Sequence, residues 1–199
     1  MLGVMVQRSD SRDRMITAAR RLFREHGYMG TALSDVISES AAPRGSMYFH
    51  FPGGKEELAS EVALVHAADA MAHINRVAGT TETASDFIAA FLGRFRDEIV
   101  SSGYREGCAV APIIIESTPT SAQLSDVTRR GFEDLIATLA ARLEEKGIPH
   151  QLSASMATNV ATTMEGALIM CRVLRSPAPF DTAIEALRAS AESAASTAR

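Results

Sequence analysis

Apolar residues along this chain recur three and four apart, and the pattern predicts helices almost from end to end. From about Asp10 to His26, the residues Met15, Ile16, Ala19, Leu22, Phe23 and His26 form one stripe. Leu33, Val36, Ile37 and Ser40 mark a second, short helix, with Thr31 or Ser34 available as its N-cap. Met47 and Phe51, four apart, share one face of a third. Pro43 suits the first turn of that helix, where the amide that proline lacks would have no partner. Pro52-Gly53-Gly54 ends it within about two to three turns. Ala41-Ala42-Pro43 is then a tight helix-to-helix turn.

Lys55 opens a longer helix to about Arg76, with Leu58, Val62, Val65, Ala68 and Ala72 at helical spacing. Asp86 to Ser102 carries Phe87, Phe91, Phe95 and Ile99 at steps of four. Gly107 to Ser117 is an apolar run that reads equally as a buried strand or a buried helix. Ser121 to Lys146 is amphipathic, and Phe180 to about Ala195 is a final Ala-rich helix. Ser153 to Arg175 is rich in Ala, Thr and Met and apolar on more than one side, as a helix packed between partners is. No stretch alternates convincingly with period two. The expected fold class is all-α, with a three-helix domain over residues 1–55 and a larger helical domain over 56–199.

The front of the third helix carries Arg44, Ser46, Tyr48 and His50, donors and aromatics in place of ordinary solvating Glu and Lys. Gly45 sits inside the helix, where glycine costs about 1 kcal/mol relative to alanine. That cost makes sense if a backbone, of DNA or of protein, comes close. A short helix with an apolar back and a polar, aromatic front is a candidate recognition helix; a small surface helix with a Tyr-Phe core plug is the plainer alternative.

Gly27-Tyr28-x-Gly30-Thr31, Asp35-Val36-Ile37, Arg44-Gly45-Ser46-Met47-Tyr48-x-His50-Phe51 and Lys55-Glu56-x-Leu58 agree in type and spacing across three helices. Together they resemble the N-terminal domain of TetR-type transcriptional repressors over about residues 10 to 60. Pro52-Gly53-Gly54-Lys55-Glu56-Glu57-Leu58 is similar to the subgroup containing LmrA and YxaF. Gly107-Cys108-Ala109-Val110-Ala111 and Glu165-Gly166-Ala167-Leu168 resemble that subgroup's C-terminal domain. One departure is Ala41, where the family often has glycine; alanine enters the left-handed region at some cost.

The resemblance implies a helix-turn-helix domain that binds a palindromic double-stranded DNA operator, on a helical body that dimerises and holds a small molecule. It places Thr31, Ser34, Pro43, Arg44, Gly45, Ser46, Tyr48, His50 and Lys55 at the DNA, with Thr31 and Ser34 on backbone phosphates. It places homodimerisation on the last two long helices, with Met164, Leu168 and Leu187. The Phe87, Phe91 and Phe95 ladder, Cys108 and Pro112, and Met156, Asn159, Thr163 and Met170 are expected around one cavity for a small apolar or aromatic effector. The same phenylalanine ladder reads as plain core, and Asn159 and Thr163 can simply bond the backbone or each other.

Net charge is −4, which argues against indiscriminate nucleic-acid binding, but its distribution favours a local reader. Residues 1–55 hold eight Lys/Arg against five Asp/Glu, and residues 56–199 hold twelve against nineteen. Arg8, Arg12 and Arg14 are further candidates for phosphate contact. A hydrophobic share of 46% belongs to a globular chain, and the run Cys108–Ile115 is too short to span a bilayer. The expected location is the cytoplasm, with no membrane partner. Cys108 and Cys171 form no ligand or redox pattern, and His66 and His73, seven apart, lack a third metal ligand in view. Glu116 and Glu165 lie in apolar surroundings, where a carboxylate bonded to a ligand, a hydroxyl or another subunit is the expected state. No phosphate loop, metal-spaced His pair or nucleophile elbow is present, so no cofactor and no catalysis are predicted. The rivals are a DNA-binding protein without an effector and, from another class, a small helical enzyme or lipid-binding protein using the Phe-lined body.

Overall fold

The stripes of the sequence close into helices α1 (Leu2–His26), α2 (Leu33–Ser40), α3 (Met47–His50), α4 (Gly54–Ala78), α5 (Ala84–Ser101), α6 (Ala111–Ser117), α7 (Ala122–Glu145), α8 (His150–Leu174) and α9 (Ala178–Thr197). These come from a computed structural model that describes residues 2–117 and 120–197, with side chains over 10–117 and 120–196. No strand occurs among the described residues. Thr118-Pro119-Thr120 reads as a turn in the sequence, and its first two residues lie outside those described.

Two compact units form, Met1–His66 with Cys108–Arg130, and Ala67–Gly107 with Gly131–Arg199. The chain passes from the first to the second within α4, returns between Gly107 and Cys108, and crosses again within α7. The first unit is built on Met15, Ile16, Leu22, Phe23, Val36, Met47, Phe51, Leu58 and Val62, all buried, with Ala109, Ile113 and Leu124 added from the later segment. The second packs α5 against α8 and α9, and α8 against α9. Its buried side chains include Phe87, Phe91, Leu92, Ile99, Val160, Met164, Leu168 and Phe180.

Local chemistry explains the boundaries. The Thr83 hydroxyl accepts the Asp86 amide at 3.0 Å and starts α5. Arg175 closes α8 in the left-handed conformation. The apolar run after Gly107 is helix rather than strand, but only from Ala111. Pro112 therefore lies in its first turn, where proline is tolerated. The third helix is also shorter than expected. Arg44–Ser46 form a 3-10 turn, and α3 follows as a single α turn over Met47–His50. The first helix is longer than expected, since helical backbone continues back to Leu2.

Candidate nucleic-acid interface

Between α2 and the 3-10 turn, the chain reverses at Ala41, with φ 51° and ψ 29°. An L-residue adopts this left-handed geometry only at a cost, so the turn keeps the geometry glycine would give it and retains strain. Beyond it, Met47 and Phe51 are fully buried, while Tyr48 is 68% and Phe49 61% exposed. Two buried side chains thus anchor a one-turn helix whose other face is open. Pro43, Arg44 and Gly45 are exposed beside it. A Cβ on Gly45 would meet nothing within 4 Å, so the fold itself does not demand glycine there. Ser46 is half-buried, and its hydroxyl donates to the Pro43 carbonyl at 2.6 Å.

Other expected DNA contacts are turned inward. Thr31 is 1% exposed, and its hydroxyl donates to the Gly27 carbonyl at 2.8 Å. It is not an N-cap either: Ala32 holds that position, and the Asp35 carboxylate accepts the Ala32 amide at 3.3 Å. Ser34, by contrast, is exposed at the start of α2. His50 is half-buried, with Nε2 2.9 Å from the Ser11 hydroxyl of α1, a bond that fixes its ring. Lys55 lies 4.6 Å over the Tyr28 ring and donates to the Met29 carbonyl at 3.4 Å. Burial lowers the pKa of its ammonium, and Glu116 partly offsets this. Arg12 is paired with Glu61 at 2.8 Å and sits 5.5 Å over the Phe51 ring.

The turn from Gly27 to Thr31 has a further partner that local sequence does not reveal. Glu116, on α6, accepts the Met29 amide at 2.5 Å across 87 residues of chain. Its other oxygen lies 2.9 Å from where a Gly27 Cβ would stand, and Gly27 has φ +82°. A side chain at Gly30 would overlap the His26 carbonyl oxygen. The Gly27-Tyr28-Met29-Gly30 sequence is therefore a backbone shape, held by a carboxylate below and a lysine above. Glu116 itself is exposed, and its partner is a main-chain amide of its own subunit.

The arrangement coincides with known proteins. Residues 15–62 match the model for bacterial regulatory proteins of the tetR family. Residues 84–186 match the C-terminal domain of LmrA/YxaF-like transcriptional regulators. The chain belongs to the TetR family of transcriptional regulators. An uncharacterized HTH-type transcriptional regulator of Mycobacterium tuberculosis is 33% identical over 89% of this chain and 92% of its own. The HTH-type transcriptional regulator LmrA of Bacillus subtilis is 31% identical over 86% and 91%. Among solved structures, a TetR transcriptional regulator from Chloroflexus aurantiacus superposes with a TM-score of 0.75 at 27% identity, covering 92% of this chain and 94% of that one. The reduced form of NemR from Escherichia coli shares the fold, with a TM-score of 0.73 at 21% identity over 90% and 96%.

In this TetR-family chain the residues expected around an effector divide between the units. Cys108 and Pro112 belong to the first; Phe87, Phe91, Phe95, Met156, Asn159, Thr163 and Met170 belong to the second. The Cys108 Sγ accepts the Val110 and Ala111 amides, both at 3.4 Å, just before α6. Phe87 and Phe91 are fully buried, Phe95 is half-buried, and their rings follow one another at 6.5 and 5.3 Å. On α8, Met156 points inward and Thr163 is half-buried, whereas Asn159 and Met170 are exposed.

Of the expected dimer residues, Met164 and Leu168 are buried within the protomer, and Leu187 is half-buried. The open side of α8 carries Ile169, Met170, Val173 and Leu174, exposed by 60, 49, 72 and 56%. This exposed apolar side is a different face of α8 from the one that carries Met164 and Leu168. Among the described residues no helix is long and apolar enough to cross a membrane, and no group of His, Cys, Asp and Glu could hold a metal ion.

Proposed function

We propose that this regulator is a repressor that binds a palindromic DNA operator as a homodimer and leaves it when a small apolar or aromatic molecule occupies the helical body. The observation that carries the DNA reading is the exposed Tyr48, Arg44 and Gly45 on a helix anchored by fully buried Met47 and Phe51. An aromatic ring left in water beside a guanidinium and an open glycine suits a surface that another molecule's backbone approaches. In this reading Arg44 and Tyr48 meet the DNA groove and its phosphates, Ser34 meets a phosphate from the start of α2, and Pro43 and Gly45 permit close approach. Ser46 and His50 shape the helix. Thr31 and Lys55 act on the turn behind it.

One turn of helix reads only a few base pairs, so two copies spaced about 34 Å apart are needed to read a palindrome. The exposed apolar side of α8, Ile169 to Leu174, is the surface proposed for the partner. DNA binding by residues 1–55 and dimerisation with effector binding by residues 56–199 remain the proposed division of labour.

The test is fluorescence anisotropy with the DNA upstream of the protein's own gene. Tyr48→Ala and Arg44→Ala each weaken specific binding by about 1–3 kcal/mol, and neither changes the melting temperature, because both side chains are exposed. Wild-type affinity falls steeply with salt as the counterions on the contacted phosphates are released. Unchanged affinity in both variants rejects the assignment.

A further inference from the structure

His73, on α4, is 4% exposed within the second unit. Its Nε2 lies 3.2 Å from the Phe91 carbonyl oxygen. A carbonyl oxygen only accepts, so Nε2 carries the hydrogen and Nδ1 carries the lone pair. That Nδ1 is buried and has no hydrogen-bond partner among the described residues. The ring is stacked on Phe91 at 5.5 Å and 24°, and meets Phe95 edge-on at 6.0 Å. Burial, with Arg94 and Arg76 nearby, lowers the pKa of this imidazole, although the Phe91 carbonyl and Glu98 act the other way; the neutral form with one open acceptor is therefore favoured.

A phenylalanine would fill the same aromatic stack without stranding an acceptor. Buried polar atoms are hydrogen-bonded in nearly all proteins, and an exception calls for a partner. We infer that His73 Nδ1 is the polar anchor of the effector site, accepting a hydrogen bond from the hydroxyl or N–H of a small neutral aromatic molecule whose ring joins the Phe91–Phe95 stack. The inference rests on the proposed effector role of the helical body. It adds a chemical class: a neutral donor on an aromatic ring. A carboxylate offers only lone pairs to a lone pair and is refused.

The experiment uses the whole 199-residue chain and matched probe pairs, phenol against anisole and indole against N-methylindole. Binding is followed by calorimetry without DNA, and operator release is followed separately. Wild type binds each donor at least about tenfold more tightly than its methylated partner, because a site built around one hydrogen bond rejects the analogue that lacks it. His73→Phe binds both members of a pair alike. ¹⁵N spectra of the ring show Nδ1 as a free acceptor without ligand and shifted when phenol is added, a readout that needs no variant to fold. Equal affinity for both members of each pair in wild type overturns the inference. So does donor preference surviving in His73→Phe, an Nδ1 already hydrogen-bonded by internal water, or no binding of any probe at millimolar concentration. Donor-selective binding that leaves the operator occupied keeps the site and rejects effector-driven release. Operator release without donor preference does the reverse.

Discussion

Replacing Glu116 by alanine removes the carboxylate under the Met29 turn and nothing else from the reading unit's core. The lost contact is one hydrogen bond from a main-chain amide to a charged oxygen, at 2.5 Å. Such bonds contribute about 1.5–3 kcal/mol when shielded. Glu116 is exposed, so screening places its contribution near the lower end, about 1–1.5 kcal/mol. The turn that joins α1 to α2 then opens roughly five to twelve times more often, by the same free energy. Amide exchange at Met29, followed by NMR, accelerates by that factor, and the urea midpoint falls. Glu116→Gln keeps an acceptor without the charge and recovers part of both effects. Operator affinity stays close to wild type, because a turn closed nearly all the time is still mostly closed after a tenfold change. That separates Glu116 from Tyr48, whose loss weakens DNA binding without touching stability. Lys55 bonds the carbonyl of the same Met29, so a cycle with Lys55→Ala is non-additive. Unchanged Met29 exchange and an unchanged midpoint in Glu116→Ala refute the pinning of this turn by α6.

Ala41→Gly relieves the left-handed strain at φ 51° and raises stability by about 0.5–1 kcal/mol, read from chemical denaturation. Val173→Arg places a charge on the exposed side of α8 and yields folded monomers in sedimentation, whereas Leu168→Arg, aimed into the protomer interior, unfolds the chain and shows as loss of the helical circular-dichroism signal. Because the folded state holds His73 below its ordinary pKa of 6.5, the unfolded chain takes up the proton first as pH falls. Stability is therefore full above about pH 6.5 and declines beneath it until the folded ring also titrates. Urea midpoints across that window fall less in His73→Phe than in wild type.

Helical periodicity, proline and glycine stops and the four motif segments of the first 60 residues determined the helices, their order and the family. These signals are local: a repeat of 3.6 residues and a capped end are written within a dozen positions. What covers each face is not. Ser153 to Arg175 is apolar on more than one side, and only packing against α5 and α9 decided that Met164 and Leu168 turn inward while Ile169 and Val173 stay outside. Thr31 and Ser34 look alike as phosphate ligands in one dimension, yet the Gly27 carbonyl draws the Thr31 hydroxyl inside and leaves Ser34 in water. The third helix carries its Met47 and Phe51 anchors in sequence, but its split into a 3-10 turn and one α turn follows from fitting both between two strong stops. Glu116 reaches the Met29 turn across 87 residues of chain, and His73 stands over Phe91 of the next helix. Such pairings depend on which helices the buried surfaces bring together, and that is settled by the free energy of the whole core.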